Sequence, residues 1–467
     1  MTTQSHTQQL AQFRQGLYHS FSNRADTLME LMDAMCSNPY AQSVVEYSLT
    51  PCFRRTYTAL YKAIAECRWD EQQLARLLAP YLPTPQQRLF WLLGVDVTPQ
   101  PRLYASTLPD RGMVYHPNQV KGNKPVTVGH QYSSVALLPE PEQDLSSSWV
   151  VPLRTQRVRT DQDKELVGAK QIDALLQDPL LPFHDELCVE VGDTSYSKPA
   201  YLHANRHHAN LVTIARVRSN RTFHRQYVST EAPSGHPRWY GDPFSLPDPT
   251  TWHPVDERAT TTFVSRRGKV YRVEMQAWYN MLMRGKRKPK LLPMHRYPFT
   301  LVRIVLYDQQ GEQVFRHPLW LIVIGERRHE LSVRDVYDAY RQRYDLEHFF
   351  RFGKQKLLLD CFQTPDAERE ETWWQLVHIA YAQLWMARHV ACSLPRPWER
   401  YLPTMQARRM SPTLVQRDFG RLIREIGTPA QPPKRRGNSP GRCRGPRSRP
   451  RPRHRVVVKS QKQAKRL

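Results

Sequence analysis

The order of strand-like and helical segments between residues 88 and 220 is the feature that most constrains the fold. Three strand-like runs come first: "RLFWLLGVDVT", "PVTVGHQYSSVALL" and "SSWVVPLRTQRV". They are followed by a helix ("DKELVGAKQIDALLQD"), a strand ("ELCVEVGDTSYSK"), a short helix ("SKPAYLHANRH") and a strand ("NLVTIARVRSN"). Consecutive strands favour antiparallel pairing, whereas strands separated by helices favour parallel pairing. The order therefore predicts an α/β fold with a mixed sheet.

The regions on either side of this core have different patterns. Residues 1–85 contain "ADTLMELMDAM", "FRRTYTALYKAIAEC" and "DEQQLARLLAPYL", whose apolar spacing predicts a helical N-terminal domain of a kind that often binds DNA. Residues 221–318 combine proline-rich loops with the runs "KVYRVEMQAWYNM" and "FTLVRIVLYD", which predict a β-rich insertion. The apolar run "WWQLVHIAYAQLWMARHVA" is broken by polar residues, so we expect a buried core helix and no membrane span.

The charge of the chain indicates a polyanionic partner. The net charge is +25, and residues 428–467 hold fourteen Lys or Arg and no Asp or Glu, so the preceding 427 residues still carry +11. Nucleic acid is the commonest partner for such a chain. The tail has almost no apolar side chains, which predicts disorder. Seven scattered cysteines without a CxxC pair argue against a disulfide framework or a zinc site, and the polar N-terminus leads us to expect no signal peptide.

Acidic residues stand where two of the predicted strands end. Asp96 follows "FWLLGV" and Asp193 follows "CVEVG". Strand ends of an open α/β sheet project into a crevice, and carboxylates that meet there repel one another unless a cation such as Mg²⁺ is bound. Each aspartate alone is more often a turn or cap residue, and Asp193 before Thr194 has the pattern of an N-cap. Asp110 is a rival for the first position, although no strand precedes it.

The stretch "YRQRYDLEHFFRFGKQKLLLD", residues 340–360, is predicted as one helix with a polar and an apolar side. The polar side carries, at helical spacing, Tyr340, Arg343, Glu347 and Lys354. On this stretch alone, a solvated charged face is the simpler interpretation.

The same spacing resembles the Tyr-Arg-Glu-Lys signature of DDE transposases from bacterial insertion sequences. The contexts "GVDVT" at Asp96 and "VEVGDTSYSK" at Asp193 resemble the first and second aspartates of that family. The β-rich insertion before Glu347 also has a counterpart there. The resemblance covers roughly residues 90 to 395.

The resemblance implies an RNase H-like mixed-sheet catalytic core interrupted by the β-rich insertion. It implies a catalytic metal site for two Mg²⁺ ions, replaceable by Mn²⁺, whose ligands are Asp96, Asp193 and Glu347. It implies contacts with transposon-end DNA from Tyr340, Arg343 and Lys354. Paired ions of this kind assist phosphoryl transfer by activating the attacking oxygen and stabilising the leaving one.

With the resemblance included, we divide the chain into five segments. They are a helical DNA-binding domain (1–85), the first part of the catalytic core (86–220), the β-rich insertion (221–318), the second part of the core with C-terminal helices (319–427), and a disordered basic tail (428–467).

The expected function is cut-and-paste DNA transposition by an insertion-sequence transposase. Its partners would be the double-stranded DNA of transposon ends and target, with a homodimer in the DNA complex and no membrane. It would be cytoplasmic in a bacterium and associated with the nucleoid when bound to DNA. Two alternatives stay open: a catalytically silent DNA-binding protein derived from a transposase, and an RNase H-fold nuclease without strand transfer.

Other candidate residues have plainer explanations. His203 and His207 have a metal-like i,i+4 spacing beside His208, but no carboxylate or cysteine partner is evident, so surface histidines are favoured. Arg216 and Arg218 alternate on a strand and point the same way, toward DNA or solvent.

Aromatic and basic features of the insertion complete the set. Trp278 and Trp320 could hold a flipped base, although core packing is the better interpretation. The loop "RGKRKPK", residues 284–290, is expected to contact phosphates without reading sequence. His130 in "GHQYS" is expected to be structural or close to the site.

Overall fold

The computed structural model divides the chain into two compact units that interleave along the sequence. The helical unit comprises Met1–Pro83, Val97–Gln162 and Asp345–Lys459, and the sheet unit comprises Thr84–Asp96, Asp163–Tyr344 and Ser460–Leu467. The five-segment division made from the sequence stays a prediction. The structure describes residues 3–116, 125–141, 149–227, 239–265, 268–285, 292–393, 398, 410–434 and 450–458.

The helical unit confirms the helices predicted near the N-terminus. Its α-helices are α1 (Thr3–Ser20), α2 (Ala25–Ser37), α3 (Tyr57–Glu66), α4 (Gln73–Leu78), α8 (Asp345–Lys356), α9 (Ala367–Met386) and α10 (Pro412–Ile426). Helix α9 is buried on every side over its last two-thirds, and α1, α2, α3 and α10 pack against it. The prediction of a buried core helix is therefore confirmed. Within the described residues, no helix is both long and apolar enough to cross a bilayer.

Three polar residues of α9 are paired inside the helical unit. Gln383 accepts a hydrogen bond from Arg14 on α1 (3.0 Å), and His378 contacts the Ser134 hydroxyl (3.1 Å). Glu370 is fully buried and pairs with Arg102 at 2.6 Å. Because a buried polar group without a partner is costly, these pairs allow a helix of mixed composition to form the core.

Three antiparallel strands complete the helical unit. They are β2 (Gly112–Tyr115), β3 (Val126–Leu137) and β4 (Val151–Val158), with β3 in the middle. The N–H of Arg102 donates to the carbonyl of Val128 in β3 (2.7 Å). Strand β4 packs on α9, so these strands cover one side of the central helix.

The sheet unit contains the mixed sheet that the segment order predicts. Its strands are β1 (Trp91–Pro101, up to Asp96), β5 (Cys188–Gly192), β6 (Leu211–Val217), β7 (Thr222–Gln226), β8 (Tyr240–Ser245), β9 (Glu257–Val264), β10 (Val270–Leu282), β11 (Phe299–Tyr307) and β12 (Leu319–Ile324). The order is β1-β5-β6-β12-β11-β10-β7-β8, with β9 also paired to β10. Strands β1, β5 and β6 are parallel, and the pairs from β6 to β10 are antiparallel. An RNase H-like identity for this sheet stays a prediction.

Among its described residues, the sheet unit has three α-helices: α5 (Lys164–Leu176), α6 (Pro199–Ala204) and α7 (Val333–Gln342). Asp163 caps α5 by accepting from the N–H of Glu165, and Ser332 forms a capping box with Asp335 at the start of α7. These caps fix where each helix begins after the preceding loop.

The prediction of a disordered tail is wrong for the described residues near its end. The N–H of His454 donates to the carbonyl of Ser106 (2.9 Å), and the N–H of Val457 donates to the carbonyl of Arg111 (2.8 Å). The prediction considered side chains, whereas the backbone of any residue can pair with exposed backbone groups. The remaining parts of the tail that lie outside the described residues are 435–449 and 459–467.

Candidate active site

Strands β1 and β5 bring two acidic residues of the sheet unit to neighbouring positions. The strands are parallel, with Gly94 of β1 opposite Val191 of β5. Asp96 and Asp193 each stand two residues beyond this pair. Because both strands run in the same direction, the two aspartates follow the same end of the parallel pairing.

The environment of Asp96 differs from the expected strand end. β1 continues through Asp96 as far as Pro101, so the expectation that the strand ends at the aspartate is wrong. The strand continues through Pro99, because a strand tolerates proline where the missing N–H is not needed for pairing. Asp96 is half-buried, and the residues before it, from Trp91, are buried. Asp96 is thus the first residue of β1 that is not fully buried, and buried and half-buried residues follow it.

Asp193 combines a strand end with a capping role. Its Oδ1 accepts from the backbone N–H of Ser195 (2.7 Å) and from the Ser195 hydroxyl (2.5 Å). The N-cap interpretation is therefore confirmed, for the 3₁₀ turn Thr194–Ser197. Among the described residues, no hydrogen bond is made to Oδ2 of Asp193. The cap orients the carboxylate and leaves one oxygen for another partner.

Tyr196 lies beside both aspartates, which no sequence signal indicated. Its side chain is buried and packs so closely on Gly192 that an added Cβ there would lie 2.7 Å from the tyrosine. Burial raises the pKa of Tyr196 well above its usual value, and the negative charges of Asp96 and Asp193 raise that pKa further. Its hydroxyl has no hydrogen-bond partner among the described residues. The buried ring of Tyr196 therefore packs next to the two carboxylates.

Arg343, just after α7, reaches the first carboxylate. Its Nη1 lies 3.5 Å from Oδ2 of Asp96, and both side chains are mostly buried. The guanidinium also lies over the Tyr340 ring, 5.9 Å from its centroid. Burial raises the pKa of Tyr340, while the positive charges of Arg343 and Arg216 oppose the rise. Two residues of the predicted signature, Tyr340 and Arg343, therefore share the sheet unit with Asp96 and Asp193.

The prediction of one continuous helix over residues 340–360 is wrong. Helix α7 ends at Gln342 and α8 begins at Asp345. The N–H groups of Arg343 and Tyr344 donate to carbonyls three residues earlier, at 3.2 Å each. Such i→i+3 bonds tighten the chain to 3₁₀ geometry, which changes the rotation per residue. Helical spacing alone therefore does not place all four signature residues on one side.

Glu347 and Lys354 lie on α8, in the helical unit. Both are half-buried. Burial lowers the pKa of Lys354, while the charge of Asp360 raises it. Because Glu347 belongs to a different unit from Asp96 and Asp193, the meeting of the three carboxylates stays a prediction.

The rival carboxylate, Asp110, already has a structural role in the helical unit. It accepts hydrogen bonds from Arg157 (2.6 Å) and from the Thr160 side chain. Burial raises the pKa of Asp110, but these hydrogen bonds outweigh burial and lower the pKa overall. His130 is likewise structural, since its Nδ1 contacts Glu370 at 2.7 Å. Neither residue is placed to hold a catalytic ion without breaking existing pairs.

The remaining candidates divide between surface and core. Arg216 is exposed on β6, which ends at Val217, and Arg218 is exposed one residue beyond the strand. The expectation that both arginines lie on the strand is therefore wrong for Arg218. Trp278 and Trp320 are fully buried, 5.7 Å apart between ring centroids, which confirms the core interpretation. Most of the basic loop 284–290 lies outside the described residues.

The fold and this site define an α/β protein with one aspartate on a strand, a second directly after the neighbouring parallel strand, and an arginine beside the first. Such a donor set suits metal-assisted phosphoryl transfer. A family model described as DDE superfamily endonuclease matches residues 16–285, and the protein belongs to this family. No curated protein matches the chain. Endonucleases of this superfamily act on DNA and use divalent metal ions. Asp96 and Asp193 lie inside the matched residues, whereas Glu347 lies beyond them.

Proposed function

We propose that this protein is an insertion-sequence transposase that binds terminal inverted repeats, cuts the element free and joins its ends to target DNA. The observation that carries the proposal is the placement of Asp96 on β1 and of Asp193 directly after β5, the adjacent parallel strand, inside the region that matches the family. The parallel order of β1, β5 and β6 supports an RNase H-like core for the same reason, since it puts the two aspartates at one end of the sheet.

The donor set fits hard divalent cations. Carboxylate oxygens suit Mg²⁺, and the Oδ2 of Asp193 is available while Oδ1 holds the capping turn. Asp96 and Asp193 would hold the ions together with Glu347 from α8. Two Mg²⁺ ions, or Mn²⁺ in their place, would supply Lewis-acid stabilisation of the phosphoryl oxygens when bound.

The remaining signature residues would hold DNA. Arg343 can meet a phosphate with two parallel donors, and its present contact with Asp96 keeps the guanidinium at the site. Tyr340 offers a half-buried ring for stacking on a base. Lys354 would add a phosphate contact from α8.

The proposal also covers partners and location. Two transposon ends must be handled together, so we expect a homodimer on double-stranded DNA. The chain would work in the bacterial cytoplasm, associated with the nucleoid while bound. The net charge of +25 supports binding both to transposon-end DNA and to target DNA, and we expect this binding to weaken strongly as the salt concentration rises.

The test uses labelled duplexes made from the DNA that flanks the gene on either side, where the proposal expects inverted repeats. The full chain should cleave them in Mg²⁺ or Mn²⁺ and stop when EDTA is added. Asp96→Asn, Asp193→Asn and Glu347→Gln should each lower the cleavage rate by at least about 100-fold while DNA binding stays close to that of the parent.

Two matched controls are exposed carboxylates: Asp242→Asn in the sheet unit and Glu368→Gln in the helical unit. Both should cleave at the parental rate. If the three site variants also cleave at the parental rate, the assignment of the catalytic residues is wrong. A parent that cuts but never joins 3′ ends to a target plasmid is a nuclease without strand transfer, and one that binds but never cuts is catalytically silent.

A further inference from the structure

A cluster of metal-binding side chains lies in the sheet unit and does not include Asp96 or Asp193. The Nε2 atoms of His207 and His208 lie 2.9 and 2.7 Å from the same oxygen, Oδ1 of Asp173. One ligand atom from each of the three residues lies within 4.8 Å of the other two. The expectation of surface histidines without a carboxylate partner is wrong for His207 and His208, because Asp173, which meets them, lies more than thirty residues earlier in the chain.

Too many donors converge on this one oxygen. Besides the two imidazoles, the Gln177 side chain donates to Oδ1 of Asp173 at 3.0 Å. A carboxylate has about four lone-pair sites over two oxygens, so a single oxygen accepts about two hydrogen bonds well. If the Nε2 atoms of His207 and His208 instead carry no proton, they and Oδ1 of Asp173 are three acceptor atoms that face one another. A cation among them removes this repulsion. A bound ion satisfies His207, His208 and Asp173 at once.

The protein backbone holds the three ligands in place. Asp173 lies on α5, and the two histidines lie in the turn between α6 and β6. The buried Asn205 donates to the carbonyl of Ala169, one helical turn before Asp173, at 2.9 Å. This bond ties the histidine turn to α5. The side chain of His208 is 12% exposed and that of His207 is 55% exposed, so an ion could enter from solvent beside His207.

The ligand types select the class of ion. Imidazole nitrogen suits Zn²⁺, Ni²⁺ and Cu²⁺, whereas Mg²⁺ prefers oxygen. Tetrahedral Zn²⁺ at about 2.0–2.1 Å from its ligands separates the ligand atoms by roughly 3.3 Å, so each contact to Asp173 need open by only about half an ångström. Three protein ligands leave a fourth position for water.

We propose that Asp173, His207 and His208 form a binding site for a borderline divalent transition-metal ion, Zn²⁺ in the first instance. The ion joins α5 to the turn that leads into β6 and so stabilises the sheet unit. The site is independent of the Mg²⁺ ions of the proposed reaction, because its ligands are separate residues and its preference is for nitrogen-binding ions.

The experiment measures Zn²⁺ binding to the full chain after removal of metals with a chelator. Calorimetric titration with Zn²⁺, and visible absorption with Co²⁺ as a spectroscopic probe, report stoichiometry and ligand type. The parent should bind Zn²⁺ at this site with a rise of a few degrees in Tm, since a ligand that binds only the folded state stabilises it. Millimolar Mg²⁺ should not displace the Zn²⁺.

Three variants test the ligands: His207→Gln, His208→Gln and Asp173→Asn. Each should weaken Zn²⁺ binding at this site by at least about tenfold and remove the rise in Tm. His207 is half-exposed, so its replacement keeps the fold even if the others do not, and circular dichroism checks this. His203→Gln, one turn earlier on α6, is the matched control and should bind like the parent.

Two results would overturn the site. One is a parent that shows neither a Zn²⁺ binding event nor a shift in Tm. The other is binding by a folded His207→Gln or Asp173→Asn variant that equals binding by the parent. Both readouts are independent of DNA cleavage, so a failure here leaves the proposed transposase activity to its own test.

Discussion

The guanidinium of Arg343 lies 3.5 Å from the carboxylate of Asp96, with 16% and 22% of their side chains exposed. An arginine held against a carboxylate in this way keeps two opposite charges together with little water around them. If the carboxylate of Asp96 held a divalent ion, the same guanidinium would be repelled by that ion and attracted to a phosphate. The pair therefore connects the proposed metal site to the proposed DNA contact.

Arg343→Ala should lower the single-turnover rate of end cleavage by at least about 100-fold, because a positive group that stabilises developing phosphoryl charge contributes on this order. Arg343→Lys should fall between parent and alanine, since lysine keeps the charge but loses the paired donors. Arg334→Ala, exposed on α7, is the control. A parental rate for Arg343→Ala would exclude a direct role for the guanidinium.

The buried pair of Arg14 and Asp33 should dominate the stability of the helical unit. The pair is bidentate, at 2.5 and 3.1 Å, and both side chains are at most 2% exposed. Arg14→Met should lower the free energy of unfolding by about 3–5 kcal/mol, because it leaves a buried charge without a partner. Urea denaturation measures the change.

Two comparisons make this stability prediction specific. The double variant Arg14→Met with Asp33→Leu should lose less than the single variant, since no charge is left buried. Arg24→Ala breaks an exposed pair with Glu66 and should change the free energy of unfolding by no more than about 1 kcal/mol. Equal losses for the buried and exposed pairs would contradict the argument.

His378 should make the protein less stable in mild acid. Burial lowers its pKa to about 4, whereas an unfolded histidine has a pKa of about 6.5. Below pH 6.5, His378 binds a proton in the unfolded state, whereas the buried His378 of the folded state does not. The contribution of this residue to the free energy of unfolding is therefore fully present above pH 6.5. It falls as the pH drops toward 4, by about 3 kcal/mol in all.

The measurement is the free energy of unfolding between pH 7 and pH 4 for the parent and for His378→Gln. The variant should lose less stability over this range than the parent. If His378→Gln follows the parental curve, proton uptake by this residue is not the cause.

Trp278 should act as a core residue and not as a DNA contact. It is fully buried against Trp320, and its indole N–H donates to the carbonyl of His253 (2.8 Å). Trp278→Ala should cost about 3–5 kcal/mol in the free energy of unfolding, measured by urea denaturation, because it opens a large cavity. Phe315→Ala removes an exposed aromatic of the sheet unit and should cost no more than about 0.5 kcal/mol. A folded Trp278→Phe variant that loses DNA binding would favour the base-holding role.

Helices and strands whose apolar residues repeat regularly within one segment could be predicted from the sequence. Period-two and period-3.6 spacing gave β10, β11 and α9 close to their observed positions, since each pattern is complete within one element. The aspartates of the candidate site were also found locally, because each directly follows an apolar run. The Asp193 cap was predicted from its next two residues alone.

Contacts between residues that are far apart in the sequence became evident from the tertiary structure alone. It showed that β1 continues beyond Asp96, that the helix breaks after Gln342, and that Asp173 joins two histidines from another part of the chain. It also paired His454 with the backbone of Ser106. Such contacts depend on how whole elements pack and where backbone groups find partners, and no periodicity within a single segment encodes them.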